Sequence, residues 1–220
     1  MKAKFLKLFI FFLVLESFAT VYFTGKSYAK SYNTVNKIEA KYKNVYSIAA
    51  YFYQKEEIPG YSQNMAFKGN FYYKRYKGMA WIYQYPFHKK QILKNGRLYI
   101  VNKNSRKVTV INVSGKTGGF PPNVVEVIGN LTHYFKVLNV FKNTSSNETI
   151  LVLKPIKMQR AKKIYVGFDT GNLKIKSLKI ITYQGQTIIF KYKNVKFNSP
   201  IKDKIFSVHF PSYYRIIKAY

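Results

Sequence analysis

Apolar and polar residues alternate at a period of two along most of this chain. From Met65 onward, Phe67, Gly69, Phe71, Tyr73 and Arg75 fall on one strand face, and Lys68, Asn70, Tyr72 and Lys74 fall on the other. A turn at Lys77-Gly78 returns the chain through Met79, Trp81, Tyr83 and Tyr85 until Pro86 removes a ladder donor. Asn95-Gly96 is a strong two-residue hairpin signal, and Leu98 and Ile100 lead back out of it. The stretch from 65 to 101 therefore predicts an antiparallel meander with one large aromatic face.

Similar strands are predicted from Ile48 to Gln54, Lys107 to Val113, Tyr134 to Phe141, Thr149 to Pro155, Lys163 to Asp169, Lys174 to Tyr183, Thr187 to Val195 and Ile205 to Pro211. Two segments follow the helical period instead. Val35, Ile38, Tyr42 and Val45 recur at three and four behind a Ser31 cap, so an amphipathic helix is expected from Ser31 to Tyr46. After the glycine- and proline-rich loop Ser114 to Asn123, Pro121 and Pro122 suit a first helical turn. Val124, Val125, Val127, Ile128 and Leu131 then give a short helix whose apolar arc is too wide to face water. The expected fold is mainly β, with about eleven strands and two helical elements.

The first residues carry another signal. Lys2, Lys4 and Lys7 precede an apolar run from Leu8 to Leu15, and small residues follow at Ser17/Ala19 and Ser27/Ala29. This predicts a secretory signal peptide over residues 1–29 and a single domain over 30–220. The apolar run is too short to span a bilayer, and with no cysteine there is no lipid attachment site. Export past the inner membrane follows as the expected localisation.

Charge adds a question about partners. The chain carries a formal +30, and removing residues 1–29 leaves 34 basic and 7 acidic residues. Anionic lipid surfaces, acidic proteins and nucleic acid are all compatible with that balance. Lysines drawn in by compositional bias toward Lys, Asn, Ile, Tyr and Phe are equally compatible, and they lie scattered along the strands rather than in one block. Aromatics interleaved with cations in KGNFYYKRYK also fit a single-stranded nucleic-acid platform, but those aromatics share a face with the apolar residues.

Chemistry is sparse. His88, His133 and His209 are not at metal-ligand spacing, Glu56 and Glu57 are adjacent loop acids, and no nucleophile elbow occurs. Ser114-Gly115-Lys116-Thr117 ends like a phosphate loop, but Val110 stands where the leading glycine is needed. No catalytic residue, metal or cofactor is predicted, and the expectation is binding without catalysis. With 21 tyrosines and 18 phenylalanines, a curled sheet lined by aromatics and covered by an apolar helix makes a lipid-sized cavity. A closed barrel or sandwich with a tyrosine-rich core fits the periodicity equally.

The motifs Phe52-x-Gln54, Phe67-x-Gly69, Lys74-Arg75, Trp81, Pro86 and Ile92-x-x-Asn95-Gly96 with Leu98-Tyr99 resemble the periplasmic outer-membrane lipoprotein carrier (LolA) family. So do Leu151-x-Leu153-x-Pro155, Gly171, Gly185-Gln186-Thr187, Phe190, Asn194, Asn198, Ile201, Phe206 and Pro211. The resemblance implies an incomplete antiparallel β-barrel capped by an α-helical lid over a hydrophobic cavity. It implies a monomeric, non-enzymatic periplasmic carrier that takes acylated lipoproteins from an inner-membrane ABC transporter and passes them to an outer-membrane receptor lipoprotein, with no role for nucleic acid. Related members bind other lipids or sense mislocalised lipoproteins on the same half-barrel. By the same resemblance, Arg75 ties barrel to lid, and Met79 takes an apolar entry position usually held by an aromatic. Tyr76 stands where the family often has proline. The acyl cavity is expected to be lined by Phe52, Phe67, Phe71, Tyr73, Trp81, Tyr83, Val124 and Ile128, with Arg75, Met79, Gly118 and Gly119 at the lid.

Overall fold

The computed structural model describes residues 31–113, 124–156 and 161–219. The predicted signal peptide and the glycine-rich loop with Gly118 and Gly119 lie outside them. The chain divides into two compact units, Met1–Lys37 and Ile38–Tyr220. Of the first, residues 31–37 are described and are helical, forming the start of α1, which runs from 31 to 43. Every strand among the described residues belongs to the second unit.

Its strands are β1 (Ser47–Glu57), β2 (Met65–Lys74), β3 (Gly78–Tyr85), β4 (Lys89–Lys94), β5 (Arg97–Asn102), β6 (Lys107–Asn112), β7 (Phe135–Asn143), β8 (Glu148–Pro155), β9 (Ala161–Asp169), β10 (Ile175–Thr182), β11 (Thr187–Phe197) and β12 (Arg215–Ala219). They form one sheet in the order β12-β6-β5-β4-β3-β2-β1-β11-β10-β9-β8-β7. The sheet is open, with β12 and β7 at its edges. Two short helices, α2 (Val124–Ile128) and α3 (Leu131–Tyr134), lie between β6 and β7 in sequence. No helix among the described residues is long and apolar enough to cross a membrane.

Hairpin chemistry sets the registers. Asn95 and Gly96 both take positive φ, 49° and 68°, as a two-residue turn matched to strand twist requires. Gly69 sits at a register shift between β2 and β3, and a Cβ there would lie 2.1 Å from the Ile82 carbonyl oxygen, so only glycine allows this close approach. Asp169 caps the turn before β10 by accepting the N–H groups of Gly171 (3.0 Å) and Asn172 (2.9 Å).

Three expectations are corrected. Glu56 and Glu57, expected in a loop, are the last residues of β1 and pair with Ile188 and Thr187. The strand expected over Ile205–Pro211 is a 3-10 helix, Asp203–Phe206, followed by irregular chain. Ile201 and Phe206 pack on Ala80 and Ile92, so this segment lies across the outer face of β3 and β4 and does not join the ladder. Its apolar residues read as a strand because they cover a sheet face. Asp203 anchors it through Lys74 (2.7 Å) and Lys77 (2.8 Å), and these ammonium groups hold its carboxyl down at about 2. The crossing delivers the chain to β12, which pairs parallel with β6 and brings the strand count to twelve. The single helix expected after the glycine-rich loop is two, α2 and α3, interrupted at Gly129-Asn130.

Candidate functional site

The inner face of the sheet is built by period-two alternation. Phe52 on β1, Phe67 and Phe71 on β2, Trp81 and Tyr83 on β3, and Phe190 and Tyr192 on β11 form one aromatic network. Phe52 meets Tyr83 edge-on at 5.1 Å and Phe190 at 6.1 Å, Phe67 meets Tyr83 at 5.8 Å, and Phe71 contacts Trp81 at 5.3 Å and Tyr192 at 5.8 Å. Phe190 and Tyr192 stack with their planes 5° apart. Such pairs add about 0.5–1.5 kcal/mol each beyond area burial, so the network stiffens the wall it forms.

In front of this wall is a cavity of about 210 Å³. Its apolar lining comes from β1 (Ile48), β2 (Phe71), β3 (Trp81, Tyr83), β4 (Leu93), β5 (Leu98), β10 (Ile175, Leu178), β11 (Ile188, Phe190, Tyr192) and α2 (Ile128). In a flat sheet β5 and β10, six strand intervals apart, would be separated by about 29 Å. Lining one cavity together requires the sheet to curl. Leu98, Leu178, Ile188 and Tyr192 remain half-buried because they face this space.

One end of the cavity is polar. Gln54, Glu56, Lys89 and Gln91 join its lining there. The Tyr83 hydroxyl donates to Gln54 Oε1 at 2.9 Å and approaches Gln91 Oε1 at 3.4 Å, while Gln54 Nε2 donates to Glu56 Oε1. Burial, and then the Glu56 charge, push the Tyr83 phenol up, so it stays neutral and donating. Burial also lowers Lys89, against the opposing pull of Glu56.

A second pocket, of about 360 Å³, lies where α1 ends, with Tyr42, Lys43, Tyr73, Arg75, Tyr76, Val125, Glu126, Gly129 and Asn130 around it. Arg75 Nη2 donates to the carbonyls of Lys43 and Val45 (3.0 Å), and the Arg75 amide donates to Tyr46 O at 2.8 Å. A helix C-terminus leaves carbonyls without partners and carries partial negative charge, so a guanidinium is well suited to hold it. Glu39 on α1 accepts from the Thr132 amide at 3.0 Å and its hydroxyl at 3.2 Å, which joins α1 to α3. Tyr42, fully buried, accepts the Ile175 amide at 2.9 Å and lies edge-on to Phe168 and Phe197. The end of α1 is thus fastened to both halves of the sheet.

The model of the family described as outer membrane lipoprotein carrier protein LolA matches residues 43–209. This chain belongs to that family. It is 26% identical over 199 residues, 90% of its length and 93% of the relative's, to a protein of Francisella tularensis named outer-membrane lipoprotein carrier protein. A relative of the same name in Francisella tularensis subsp. novicida is 28% identical over 172 residues, covering 78% of this chain and 81% of that one. Among solved structures, an uncharacterized conserved protein from Thermus thermophilus superposes with a TM-score of 0.52 at 6% identity, over 86% of this chain and 99% of that one, a likeness of fold.

Of the residues expected to line an acyl cavity, Phe71, Trp81, Tyr83 and Ile128 border the 210 Å³ cavity of this LolA family member. Phe52 and Phe67 pack behind Tyr83, while Tyr73 and Met79, both essentially inaccessible, belong to the packed core, with Tyr73 also at the edge of the α1 pocket. Val124 begins α2. The described bonds of Arg75 go to the end of α1. Tyr76 takes φ 63°, which a proline ring cannot adopt, so this turn differs from one built on proline. Leu178, Ile188 and Tyr192 were not among the residues expected at the cavity, although they alternate in the same way, and Phe190 and Gln54 were legible only as family motif residues. For Gln54 the signal that could have placed it there was its position two residues after Phe52 on an inward face.

Proposed function

We propose that this protein is a periplasmic carrier that holds acyl chains of lipoproteins released from the inner membrane and delivers them to the outer membrane, without catalysing a reaction. The observation that carries the proposal is the apolar cavity between the curled sheet and α2, with side chains left half-buried around it. Each buried methylene contributes about 0.8 kcal/mol, so a chain of roughly fifteen gains on the order of 12 kcal/mol gross. The cavity volume is below the roughly 300–1,000 Å³ of ordinary ligand sites, so it receives part of such a chain and must widen to take more. An inner-membrane ABC transporter is the proposed donor, and an outer-membrane receptor lipoprotein the proposed acceptor. Mass spectrometry of protein purified from membrane-containing cells tests the proposal. Acylated lipoproteins are expected to travel with it; a different lipid, or none, would overturn the lipoprotein assignment.

In this account, Arg75 favours the empty form by fastening the end of α1 to the sheet, and so helps expel cargo. Arg75→Leu should leave the sheet folded, speed amide exchange at residues 43–46, and slow cargo hand-off about tenfold, the equivalent of about 1.4 kcal/mol. Unchanged hand-off in a reconstituted transfer assay would remove Arg75 from the mechanism.

A further inference from the structure

The polar end of the cavity poses a separate question, since acyl chains alone need no hydrogen-bonding groups. Lys89 Nζ stands 4.4 Å from the Tyr83 ring centre and 5.1 Å from that of Phe67, and no oxygen acceptor for its three N–H donors is found among the described residues. The aromatic faces satisfy its charge in part but none of its hydrogen bonds. Gln91 offers a second donor, its amide nitrogen, while its oxygen faces the Tyr83 hydroxyl. Gln54 is nine-tenths buried and committed to Tyr83 and Glu56, which fixes the framework around these donors. Along β1 the lining runs from Ile48 to Glu56, about 26 Å at strand rise, so the cavity has an apolar end at Ile48, Ile128 and Ile175 and a donor-rich end at Lys89.

We propose that Lys89 and Gln91 form a subsite for the carbonyl oxygen of a neutral ester or amide at the head of the bound acyl chain. Resting on the carrier reading, this adds which part of the ligand is recognised and where. Glu56 beside the subsite repels a free carboxylate and offsets the attraction of Lys89 for one. An ester or amide carbonyl accepts hydrogen bonds without bringing charge. The ligand is thereby oriented, with its linkage at Lys89 and its tail toward α2.

The test compares three ligands of one chain length, monopalmitoylglycerol, palmitate and hexadecane, by displacement of a fluorescent apolar probe. Three variants are used: Lys89→Met, which keeps a long apolar stem, Lys89→Arg and Gln91→Leu. Expected are at least tenfold weaker binding of monopalmitoylglycerol to Lys89→Met, a smaller loss with Gln91→Leu, unchanged hexadecane binding to both, and recovery with Lys89→Arg. Wild-type protein should bind monopalmitoylglycerol more tightly than palmitate. Equal losses for hexadecane and monopalmitoylglycerol would make Lys89 a structural residue and overturn the subsite, as would no loss for either or tighter binding of palmitate. If wild-type protein binds none of the three, the carrier reading itself fails, and the subsite with it.

Discussion

Replacing Phe52 by alanine is expected to cost about 3–5 kcal/mol of folding stability and to lower Tm by roughly 10 °C. Phe52 has no accessible surface and sits between Tyr83 and Phe190 at the middle of the sheet, opposite Gly69 on β2 and Tyr192 on β11. β1 joins the β2–β6 half of the sheet to the β11–β7 half, so a void at Phe52 opens where the two halves meet. Gly69 has no side chain to refill it. Thermal unfolding followed by circular dichroism checks this, and a change in Tm of a degree or two would place the structural keystone elsewhere.

Leu178→Glu should do the opposite, leaving the fold nearly intact and removing acyl binding by about 100-fold or more. Leu178 is half-buried on β10, pairs with Phe190 in register, and faces the cavity rather than packed protein. In the empty protein a carboxylate there is hydrated, so folding costs little. Once an alkyl chain fills the cavity that hydration is lost, at a cost of about 3 kcal/mol or more, equivalent to at least two decades of affinity. Displacement of a fluorescent apolar probe measures it. Retained affinity would mean that ligands sit elsewhere, and the contrast with Phe52→Ala separates residues that support the wall from residues that meet the ligand.

That same contrast explains what could be read from the sequence. Alternation located the meander from Met65 to Val101 and the hairpin at Asn95-Gly96, because a face buried on one side fixes register locally. Alternation does not say whether an inward residue meets protein or empty space. Tyr73 and Trp81 carry the same signature, yet one is core and the other borders the cavity, a difference set by the curl of the sheet and the position of α2. The segment containing Phe206 was misread for a related reason: a strap packed flat on a sheet has strand-like apolar residues with no strand partner. Lys89 looked like one of many scattered lysines, and only the fold brings it beside Glu56, Gln54 and Gln91. The hold of Arg75 on α1 depends on carbonyls that sequence pattern does not reveal.

Trp81 is the only tryptophan in the chain and borders the cavity. Its indole N–H is the one buried side-chain polar atom without a partner among the described residues, so its emission is sensitive to what occupies the space beside it. Titration with an acylated lipopeptide brominated along its acyl chain therefore tests the central claim directly, since bromine quenches indole fluorescence only at contact range. Saturable quenching that is absent with the unbrominated lipopeptide and abolished in Leu178→Glu is the predicted result. Binding of the brominated lipopeptide with no quenching of Trp81 would contradict the account, because the acyl chain would then lie outside this cavity.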